Sequence, residues 1–439
     1  MTNNNYPKFH VYGPKGWIND PNGLIFYKNQ YHVFYQYYPN DVHWGPMHWG
    51  HAVSADLRHW NYLEPALYPD NQDDGCFSGS AIEVDGKMYL IYTSFTNRNN
   101  VNRQQQAIAV SNDGIHFEKK GLVITSDEIP EGYSKEDFRD PSVVKEEDGY
   151  TMYIAGKKID GRGRILVFKS KDLFHWTFIK DLFNKDCLGT MIECPDKLEN
   201  ALTFSEQFFP TNVDGNNNIH ASRYIVRSKD GKYHYDNALA LDYGFDYYAA
   251  QTIKSKSILM AWMSMWDRSH TSEKYGYAGE ITYPRTIEVK DGKFIQKPYL
   301  TDKDNFVGVT LSFNNEFECQ TGIVQLNITG LKTLNIKFNK TESMYAELNL
   351  IDNELVFDRS KCEQVEFKET DANSLNRIRK MPIDLNLATH NMYFVLDNNS
   401  IEIFVDGKVL SSLVSTDGNK GIVEVNIEAE NKEIKILKI

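Results

Sequence analysis

Three acidic side chains stand directly before stiff turns at distant places in the chain: Asp20, Asp140 and Glu193. A proline follows each of them within two residues, which favours an extended backbone and restricts the movement of the carboxylate. When carboxylates are brought together they repel one another, and the pKa of at least one of them rises. A carboxylic acid beside an ionised carboxylate can cleave a glycosidic bond, so these residues predict that chemistry if the fold brings them together.

The segment from residue 17 to residue 23 reads Trp-Ile-Asn-Asp-Pro-Asn-Gly and contains the first of these acids. Its Asn-Gly pair readily takes positive φ, so Asp20 is expected at the tip of an extended segment, with hydrogen bonds from its neighbours. An Asx turn that merely caps a strand would have the same local pattern. The two interpretations differ in whether Asp20 meets other functional groups.

A repeated motif indicates how distant acids could meet. Four segments share Ser-x-Asp followed by a histidine and an aromatic residue, and the last aromatic residues lie 57, 59 and 59 positions apart: Trp60, Phe117, Trp176 and Tyr235. The first three copies follow apolar runs, and two further runs around a short turn precede them, as in a β-hairpin. Each unit of roughly sixty residues therefore predicts four strands and structural, turn-stabilising histidines.

Repeated four-strand units are typical of a β-propeller, in which the first strand of each unit lines a central channel. Unit starts near positions 20, 77, 139, 193 and 246 predict five blades. The predicted fold class is all-β, with a five-bladed β-propeller over residues 1–297 and a C-terminal β-sandwich over residues 298–439. This fold would bring Asp20, Asp140 and Glu193 to one mouth of the channel. Salt bridges between blades, for example with Arg139, are the alternative role for these acids.

Charge and cysteine content limit the classes of partner. The chain has 48 Lys and Arg against 60 Asp and Glu, a formal net charge of −12, which argues against nucleic acid or an anionic membrane as the main partner. Five scattered cysteines without Cys-x-x-Cys spacing predict neither a zinc site nor a disulfide framework. The sequence begins without an apolar signal segment and has no run that could span a membrane, so a cytoplasmic protein is expected.

The sequence resembles the β-fructofuranosidase family of glycoside hydrolases, which includes invertases, inulinases, levanases and sucrose-6-phosphate hydrolases. The segment 17–23, Arg139-Asp140-Pro141 and Glu193-Cys194 resemble the signature segments of that family. Shorter similarities occur at Gln36, Trp44-Gly45, Phe77-Ser78-Gly79, Asp246-Tyr247-Tyr248 and Pro284-Arg285, and in the C-terminal part at Asp358-Arg359-Ser360. The resemblance therefore covers essentially the whole chain.

The resemblance implies a retaining mechanism with two displacements. Asp20 is the implied nucleophile, which attacks the anomeric carbon of a terminal fructosyl unit and forms a covalent fructosyl-enzyme. Glu193 is the implied general acid and base, and Asp140 the implied transition-state stabiliser, which binds two fructose hydroxyls. The implied substrates are sucrose and short fructooligosaccharides.

Further residues are implied to bind the sugar through polar side chains or apolar walls, and Arg139 can also keep Asp140 ionised. The candidate substrate-binding residues are Asn19, Gln36, Trp44, Phe77, Ser78, Arg139, Tyr248 and Trp262. The implied mechanism needs no cofactor and no metal. The histidines at positions 43, 48 and 51 are interpreted as loop and strand residues.

Several alternatives stay open on the sequence. A sucrose-6-phosphate hydrolase would add a basic pocket, for which Lys15, Arg98 and Arg103 are available. A fructosyltransferase would use the same site with a sugar as acceptor, whereas a non-catalytic carbohydrate-binding propeller would not need a crowded acid pair. An inverting, arabinan-type propeller glycosidase would need more widely separated carboxylates. The expected partner is a small sugar, and the sequence leaves the oligomeric state open.

Overall fold

Strands are the main element of the chain, as seen in a computed structural model in which residues 6–183, 185–213, 216–367, 375–416 and 420–439 are described. Within these ranges the helical elements are three short 3-10 helices at Tyr235–Asn237, Lys254–Lys256 and Thr271–Tyr275. The many aromatic and β-branched residues of the chain favour strands in this way. The predicted all-β class is confirmed.

Five sheets follow one another over the first 298 residues. Their strands are β1 Val11–Tyr12, β2 Gly16–Tyr27, β3 Gln30–Tyr38, β4 His48–Ser54, β5 Asn61–Leu67, β6 Gly75–Val84, β7 Lys87–Arg98, β8 Val101–Ser111, β9 Glu118–Ile124, β10 Tyr133–Glu146, β11 Gly149–Lys158, β12 Gly163–Ser170, β13 Trp176–Asp181, β14 Met191–Lys197, β15 Ala201–Gln207, β16 Ala221–Val226, β17 Leu239–Ala240, β18 Tyr248–Ile253, β19 Ile258–Trp262, β20 Tyr277–Ala278, β21 Glu280–Ile281, β22 Arg285–Lys290 and β23 Lys293–Pro298. Strands β2–β5, β6–β9, β10–β13 and β14–β17 form the first four sheets, and β18, β19 and β21–β23 belong to the fifth.

Two-residue turns join the first two strands of each of the first three sheets. β2 and β3 turn at Lys28 and Asn29, with φ of 47° and 63°, and β6 and β7 turn at Asp85 and Gly86, with φ of 51° and 75°. Positive φ at both positions gives the turn a twist that matches the twist of the flanking strands. The hairpins expected from the sequence are therefore present.

The first strands of the five sheets form a closed ring. β2 contacts β6, β6 contacts β10, β10 contacts β14, β14 contacts β18, and β18 returns to β2. The ends of this region are also joined, because β20 pairs with β2 and β1 pairs with β21. Apolar clusters fill the space between neighbouring sheets, and one of them unites Ile108, Phe138 and Leu166. The predicted propeller, with its first strands around a central channel, is confirmed.

The repeated Ser-x-Asp-His motif forms the turn between the third and fourth strands of the first three sheets. In the first copy the Ser54 hydroxyl accepts a hydrogen bond from the backbone N of Leu57 at 2.8 Å, and a carboxylate oxygen of Asp56 lies 2.7 Å from Nδ1 of His59. The equivalent contacts recur in the segments 111–116 and 170–175. These histidines stabilise turns, as the sequence predicts.

Two six-stranded sheets pack against each other in the C-terminal part. Their strands are β24 Val307–Gly308, β25 Glu316–Glu318, β26 Gly322–Thr329, β27 Thr333–Phe338, β28 Tyr345–Ile351, β29 Glu354–Lys361, β30 Ile378–Pro382, β31 Thr389–Asp397, β32 Ser400–Val405, β33 Lys408–Leu413, β34 Ile422–Glu428 and β35 Asn431–Leu437. The predicted sandwich is confirmed, and Phe338, Leu348 and Phe394 lie in its core. The propeller strand β23 ends beside the predicted domain boundary between residues 297 and 298, which stays a prediction.

A buried ionic network joins the propeller to the sandwich. The ring of His10 lies 2.9 Å from a carboxylate oxygen of Asp397 and 3.2 Å from one of Glu402. Arg285 donates to the same Glu402 at 2.8 Å and to Asp242 at 3.0 Å. Buried charges are tolerated only when they are paired, so this network fixes how the two parts of the chain meet.

Candidate active site

A β-bulge interrupts the first strand of every propeller sheet. The register shifts after Ile18 in β2, Phe77 in β6, Arg139 in β10, Glu193 in β14 and Tyr248 in β18. Bulges redirect side chains and are common beside functional sites. The bulged residues include Asp20, Ser78, Asp140, Cys194 and Ala249, and the last three have left-handed φ of 61°, 46° and 56°. Such a backbone is costly for residues other than glycine, so the surrounding fold imposes it.

Asp20 lies in a buried position with several hydrogen-bond donors. The Ser78 hydroxyl donates to its Oδ2 at 2.6 Å, and the Asn19 amide donates to its Oδ1 at 3.1 Å. The indole of Trp17 in turn donates to the Asn19 oxygen at 2.8 Å, which orients the amide. Asp20 is therefore fixed in orientation by both of its oxygens and does more than cap a strand.

Asp140 and Asp20 are linked through Cys194. The backbone N of Cys194 donates to Oδ2 of Asp140 at 3.0 Å, and its Sγ lies 3.5 Å from Oδ2 of both aspartates. Two oxygens at that distance from one sulfur are at most 7.0 Å apart (3.5 + 3.5). Neither aspartate forms a salt bridge with a described residue. The fold thus brings together acids that are 120 positions apart in the sequence.

Glu193 has a partner on each oxygen. Arg139 contacts Oε1 through Nε and Nη2, each at 2.9 Å, and the Tyr248 hydroxyl donates to Oε2 at 2.6 Å. Arg139 belongs to β10 and Glu193 to β14, so this ion pair is the salt bridge between sheets that the sequence allowed as an alternative. Gln104 and Asp137 contact the same guanidinium at 3.3 and 3.4 Å and help to hold it.

Electrostatics separate the aspartates of the site from ordinary surface carboxylates. Burial, followed by the charge of Glu193, raises the pKa of Asp140 to about 7, although Arg139 opposes this shift. Burial also raises the pKa of Asp20, whereas the hydrogen bond from Ser78 favours its ionised form. The raised pKa expected for a carboxylate close to another carboxylate is therefore present at Asp140.

An aromatic wall stands beside the carboxylates. The rings of Phe77 and Phe95 stack with centroids 4.5 Å apart and an interplanar angle of 7°. Trp44 meets the edge of Phe77 at 6.0 Å and is 49% exposed. Phe77 precedes Ser78, the donor to Asp20, so this wall (Trp44, Phe77 and Phe95) borders the acid cluster. Aromatic faces of this kind can stack on sugar rings.

Two of the predicted substrate-binding residues are buried and contact neighbouring strands. Gln36 is buried and donates to the backbone oxygen of Cys76 at 3.0 Å, which supports strand β6. Trp262 is completely buried, pairs with Tyr248 across β18 and β19, and packs against Trp17 with ring centroids 5.7 Å apart. Their role as substrate contacts, like those of the other candidates, stays a prediction.

Thr93 is a residue of the site that sequence reasoning missed. Its Oγ1 accepts a hydrogen bond from the backbone N of Asp140 at 3.0 Å and lies 3.2 Å from the backbone oxygen of Ser78. It therefore connects two of the bulges. Thr93 lies in β7 opposite Phe77. A threonine inside an apolar strand belongs to no motif, so the sequence does not single it out.

The described residues contain neither a metal-binding cluster nor a membrane-spanning helix. Among them, no group of three or more His, Cys, Asp or Glu side chains is arranged to hold a metal ion. No helix in the described ranges is long and apolar enough to cross a membrane.

The arrangement unites two carboxylates that are held in different ways. Asp20 has neutral donors and no adjacent cation among the described residues, whereas Glu193 has a guanidinium and a phenol. Such a difference allows one carboxylate to act as a nucleophile while the other exchanges a proton. The side chains present can therefore support acid–base and nucleophilic chemistry at a sugar.

Comparison with known proteins agrees with this geometry. Residues 10–298 match the model of the glycosyl hydrolases family 32 N-terminal domain, and residues 285–439 match that of the family 32 C-terminal domain. The chain is 35% identical over 452 aligned positions to a sucrose-6-phosphate hydrolase of Zymomonas mobilis, covering 93% of this chain and 86% of that protein. It is 38% identical over 312 positions to a raffinose invertase of Escherichia coli, covering 67% of this chain and 64% of that protein.

A solved structure is similar over the whole length of this chain. A variant of the Bombyx mori GH32 beta-fructofuranosidase, in complex with sucrose, superposes with a TM-score of 0.81 and 27% sequence identity. The alignment covers 100% of this chain and 95% of that one. With two family models that together span almost all of the sequence, the conclusion is that this chain is a glycosidase and belongs to glycosyl hydrolase family 32.

Proposed function

We propose that this glycosidase releases terminal β-D-fructofuranosyl units from sucrose and short fructooligosaccharides with retention of configuration. The observation that carries the proposal is the contrast between the two carboxylates. Asp20 accepts hydrogen bonds from Ser78 and Asn19, whereas Glu193 is held by Arg139 and Tyr248. The hydrogen bonds from Ser78 and Asn19 favour the ionised form of Asp20, which a nucleophile needs. The contacts with Arg139 and Tyr248 hold Glu193 in one position for proton exchange.

The first displacement joins the fructosyl unit to the enzyme. A carboxylate oxygen of Asp20 forms a bond to the anomeric carbon while the bond from that carbon to the glycosidic oxygen breaks. Glu193 gives its proton to this oxygen, and the leaving sugar departs as a neutral alcohol. Positive charge develops on the fructosyl ring meanwhile, and the Asp140 carboxylate stabilises it.

The second displacement releases fructose. Glu193, now ionised, takes a proton from water, and the water oxygen attacks the anomeric carbon. The bond to Asp20 breaks and its carboxylate is restored. Two inversions at the same carbon leave the original configuration. A sugar hydroxyl in the place of water would give transfer, so the acceptor alone distinguishes a hydrolase from a fructosyltransferase.

Sucrose is the first substrate to test, since a relative bears the name raffinose invertase and a similar structure contains sucrose. The aromatic wall supports this choice because it offers apolar faces for a sugar beside the acid cluster. A phosphorylated substrate is a second candidate, which the name of the Zymomonas mobilis relative favours.

One product assay ranks these substrates. Sucrose, sucrose 6-phosphate, short inulin-type oligosaccharides and inulin are compared at equal concentrations, with free fructose and chain length as readouts. A higher kcat/KM for sucrose than for its 6-phosphate supports the proposal, and the reverse order assigns the second candidate. Products longer than the substrate would reveal transfer. Absence of fructose from all four substrates would contradict the proposed function.

Variants of the two carboxylates test the assigned roles. Asp20→Ala and Glu193→Ala should each abolish fructose release from sucrose, because each removes a group that forms or breaks a bond. Thermal unfolding serves as the control for an intact fold. Full activity in either variant would contradict the mechanism.

A further inference from the structure

A small cavity lies where the propeller meets the sandwich. Its volume is about 20 Å³, enough for one particle of the size of a water molecule. The propeller contributes Asp246 and Arg268 to its lining, and the sandwich contributes Arg359 and Arg377. The lining differs from the acid cluster because it contains three arginines, Arg268, Arg359 and Arg377, beside the carboxylates of Asp246 and Glu363.

Arg359 has donors without partners beside this cavity. Its side chain is buried, with 4% of the residue exposed. One terminal nitrogen, Nη1, donates to Asp246 at 2.6 Å and to the backbone oxygen of Leu413 at 2.9 Å. Its Nε and Nη2 have no hydrogen-bond partner among the described residues. Buried guanidinium donors of this kind normally have an acceptor, and leaving them without one is costly.

The buried charges around the cavity do not balance. Three guanidiniums are buried there, those of Arg268, Arg359 and Arg379, against the carboxylates of Asp246 and Asp267, so the described buried groups sum to +1 (3 − 2). Both carboxylates are already engaged with Arg268 or Arg359. An uncompensated charge in such surroundings is unfavourable unless a counterion is present.

The neighbouring groups do not remove this excess. Glu363 lines the cavity but is engaged by Lys274 at 2.7 Å and by the Ser415 hydroxyl at 2.6 Å. The half-buried Arg377 adds a further positive charge to the lining. Burial, together with the charges of Arg268 and Arg377, lowers the pKa of Arg359 to about 10 although Asp246 opposes the shift.

Aromatic contacts stabilise the cations only in part. The guanidinium carbons of Arg359 and Arg379 lie 3.8 and 4.0 Å from the ring centroid of Phe245. A cation–π contact is weaker than a buried ion pair and accepts no hydrogen bond from the free Nε and Nη2. Arg379 has neutral acceptors, including the Asn218 oxygen at 2.8 Å. The buried guanidinium donors beside this cavity without an acceptor among the described residues are therefore those of Arg359.

We infer that the cavity at Arg359 binds a small monovalent anion such as chloride, which links the propeller to the sandwich. A water molecule could accept the same hydrogen bonds but would leave the positive charge uncompensated. An excess of one positive charge matches a monovalent ion, whereas sulfate or phosphate would overcompensate it. The ion bridges strand β29, which carries Arg359, and the segment that leads into β18, which carries Tyr248.

Thermal unfolding of the full chain tests the inference in solution. The melting temperature is measured with increasing sodium chloride, and sodium gluconate is added to keep the ionic strength constant. Gluconate is chosen because it is too large for the cavity. Since a ligand that binds only the folded state stabilises it, the wild-type protein should melt about 2 °C higher in chloride. Arg359→Gln should lose this chloride-dependent shift.

A matched control separates loss of the ion from general destabilisation. Arg58 pairs with Asp304 at 2.5 and 2.6 Å, away from the cavity. Arg58→Gln should melt at a lower temperature than the wild type but keep the chloride-dependent shift. Equal melting temperatures of the wild type in chloride and gluconate would overturn the inference.

Crystals of the wild-type protein grown in sodium bromide provide a test that does not depend on the folding of any variant. Bromide scatters anomalously, and water does not. An anomalous peak within hydrogen-bonding distance of Nε or Nη2 of Arg359 supports the site. Density for water there without an anomalous peak, or an empty cavity, overturns it.

Discussion

Arg139 contacts one oxygen of Glu193 with two nitrogens, Nε and Nη2, each 2.9 Å from Oε1. The two residues belong to neighbouring sheets, so the ion pair fixes the acid–base candidate relative to the strand that carries Asp140. Burial of the pair makes it sensitive to the loss of either partner, because the remaining charge is then uncompensated.

The first prediction concerns this ion pair. Arg139→Gln should lower kcat/KM for sucrose about 100-fold, because Glu193 loses the contacts that hold its carboxyl group in position. Steady-state kinetics give the measurement. Arg164→Gln is the control, since the Arg164 side chain is 5% exposed against 12% for Arg139 and pairs with Asp181 at 2.9 Å outside the acid cluster. An equal loss of activity in both variants would show that general destabilisation causes the effect.

The phenol of Tyr248 gives a sharper comparison. Tyr248→Phe removes the donor to Oε2 of Glu193 and should lower kcat about tenfold, with little change in the melting temperature. Tyr247→Phe is the control, because the neighbouring Tyr247 is also buried but its hydroxyl has no partner among the described residues. This variant should keep full activity. If Tyr248→Phe is as active as Tyr247→Phe, the hydrogen bond does not contribute to catalysis.

The pKa of Asp140 predicts an acidic limb in the rate profile. Since burial and Glu193 raise this pKa to about 7, Asp140 takes up a proton as the pH falls below that value. The neutral acid no longer stabilises positive charge, so kcat/KM should fall about tenfold per pH unit below the pKa. The profile between about pH 5 and pH 8 gives the measurement. The residual activity of Asp140→Asn should lack this limb, and a flat wild-type profile would contradict the prediction.

The contact between propeller and sandwich predicts a different pH dependence. Burial opposes protonation of His10, but Asp397 and Glu402 together raise its pKa from 6.5 to about 10. A raised pKa stabilises the fold fully below the unfolded value of 6.5, and this stability is lost as the pH rises through about 10. His10→Gln should therefore melt about 5 °C below the wild type at pH 6, with a difference that shrinks towards pH 10.

The exposed His59 of the first repeat provides the control for this experiment. His59→Gln should change the melting temperature little at either pH, because its aspartate partner is also solvent-exposed. A difference between His10→Gln and the wild type that grows with pH would contradict the assignment of the charge to His10.

The sequence predicts the acid cluster because the features that reveal it are short motifs and a repeat along the chain. The prolines after Asp20 and Asp140 predict stiff turns; in the structure these segments are instead bulges within strands β2 and β10. The repeat of nearly constant length places the bulges at equivalent points of a ring. The contact of Cys194 with both aspartates is harder to predict. It depends on a bulge that shifts the register by one residue, and neither composition nor alternation reveals that shift.

Contacts between the two parts of the chain were also beyond sequence reasoning. His10 meets Asp397 across 387 positions, and no spacing rule connects residues in different domains. Gln36 and Trp262 show a related limit. A resemblance to a family implies that they bind the sugar, but it does not predict their contacts inside the protein, which are the backbone oxygen of Cys76 for Gln36 and the ring of Trp17 for Trp262.

The covalent intermediate offers the most direct test of the mechanism. Glu193→Gln lacks the acid and base, but β-fructofuranosyl fluoride has a leaving group that needs no proton, so the first displacement can proceed and the second is slow. Rapid acid quench, proteolysis and mass spectrometry then locate the fructosyl group. The mechanism predicts a fructosyl ester on Asp20, absent from the double variant Asp20→Ala, Glu193→Gln. A fructosyl ester on Asp140, or none while fluoride is still released, would contradict it.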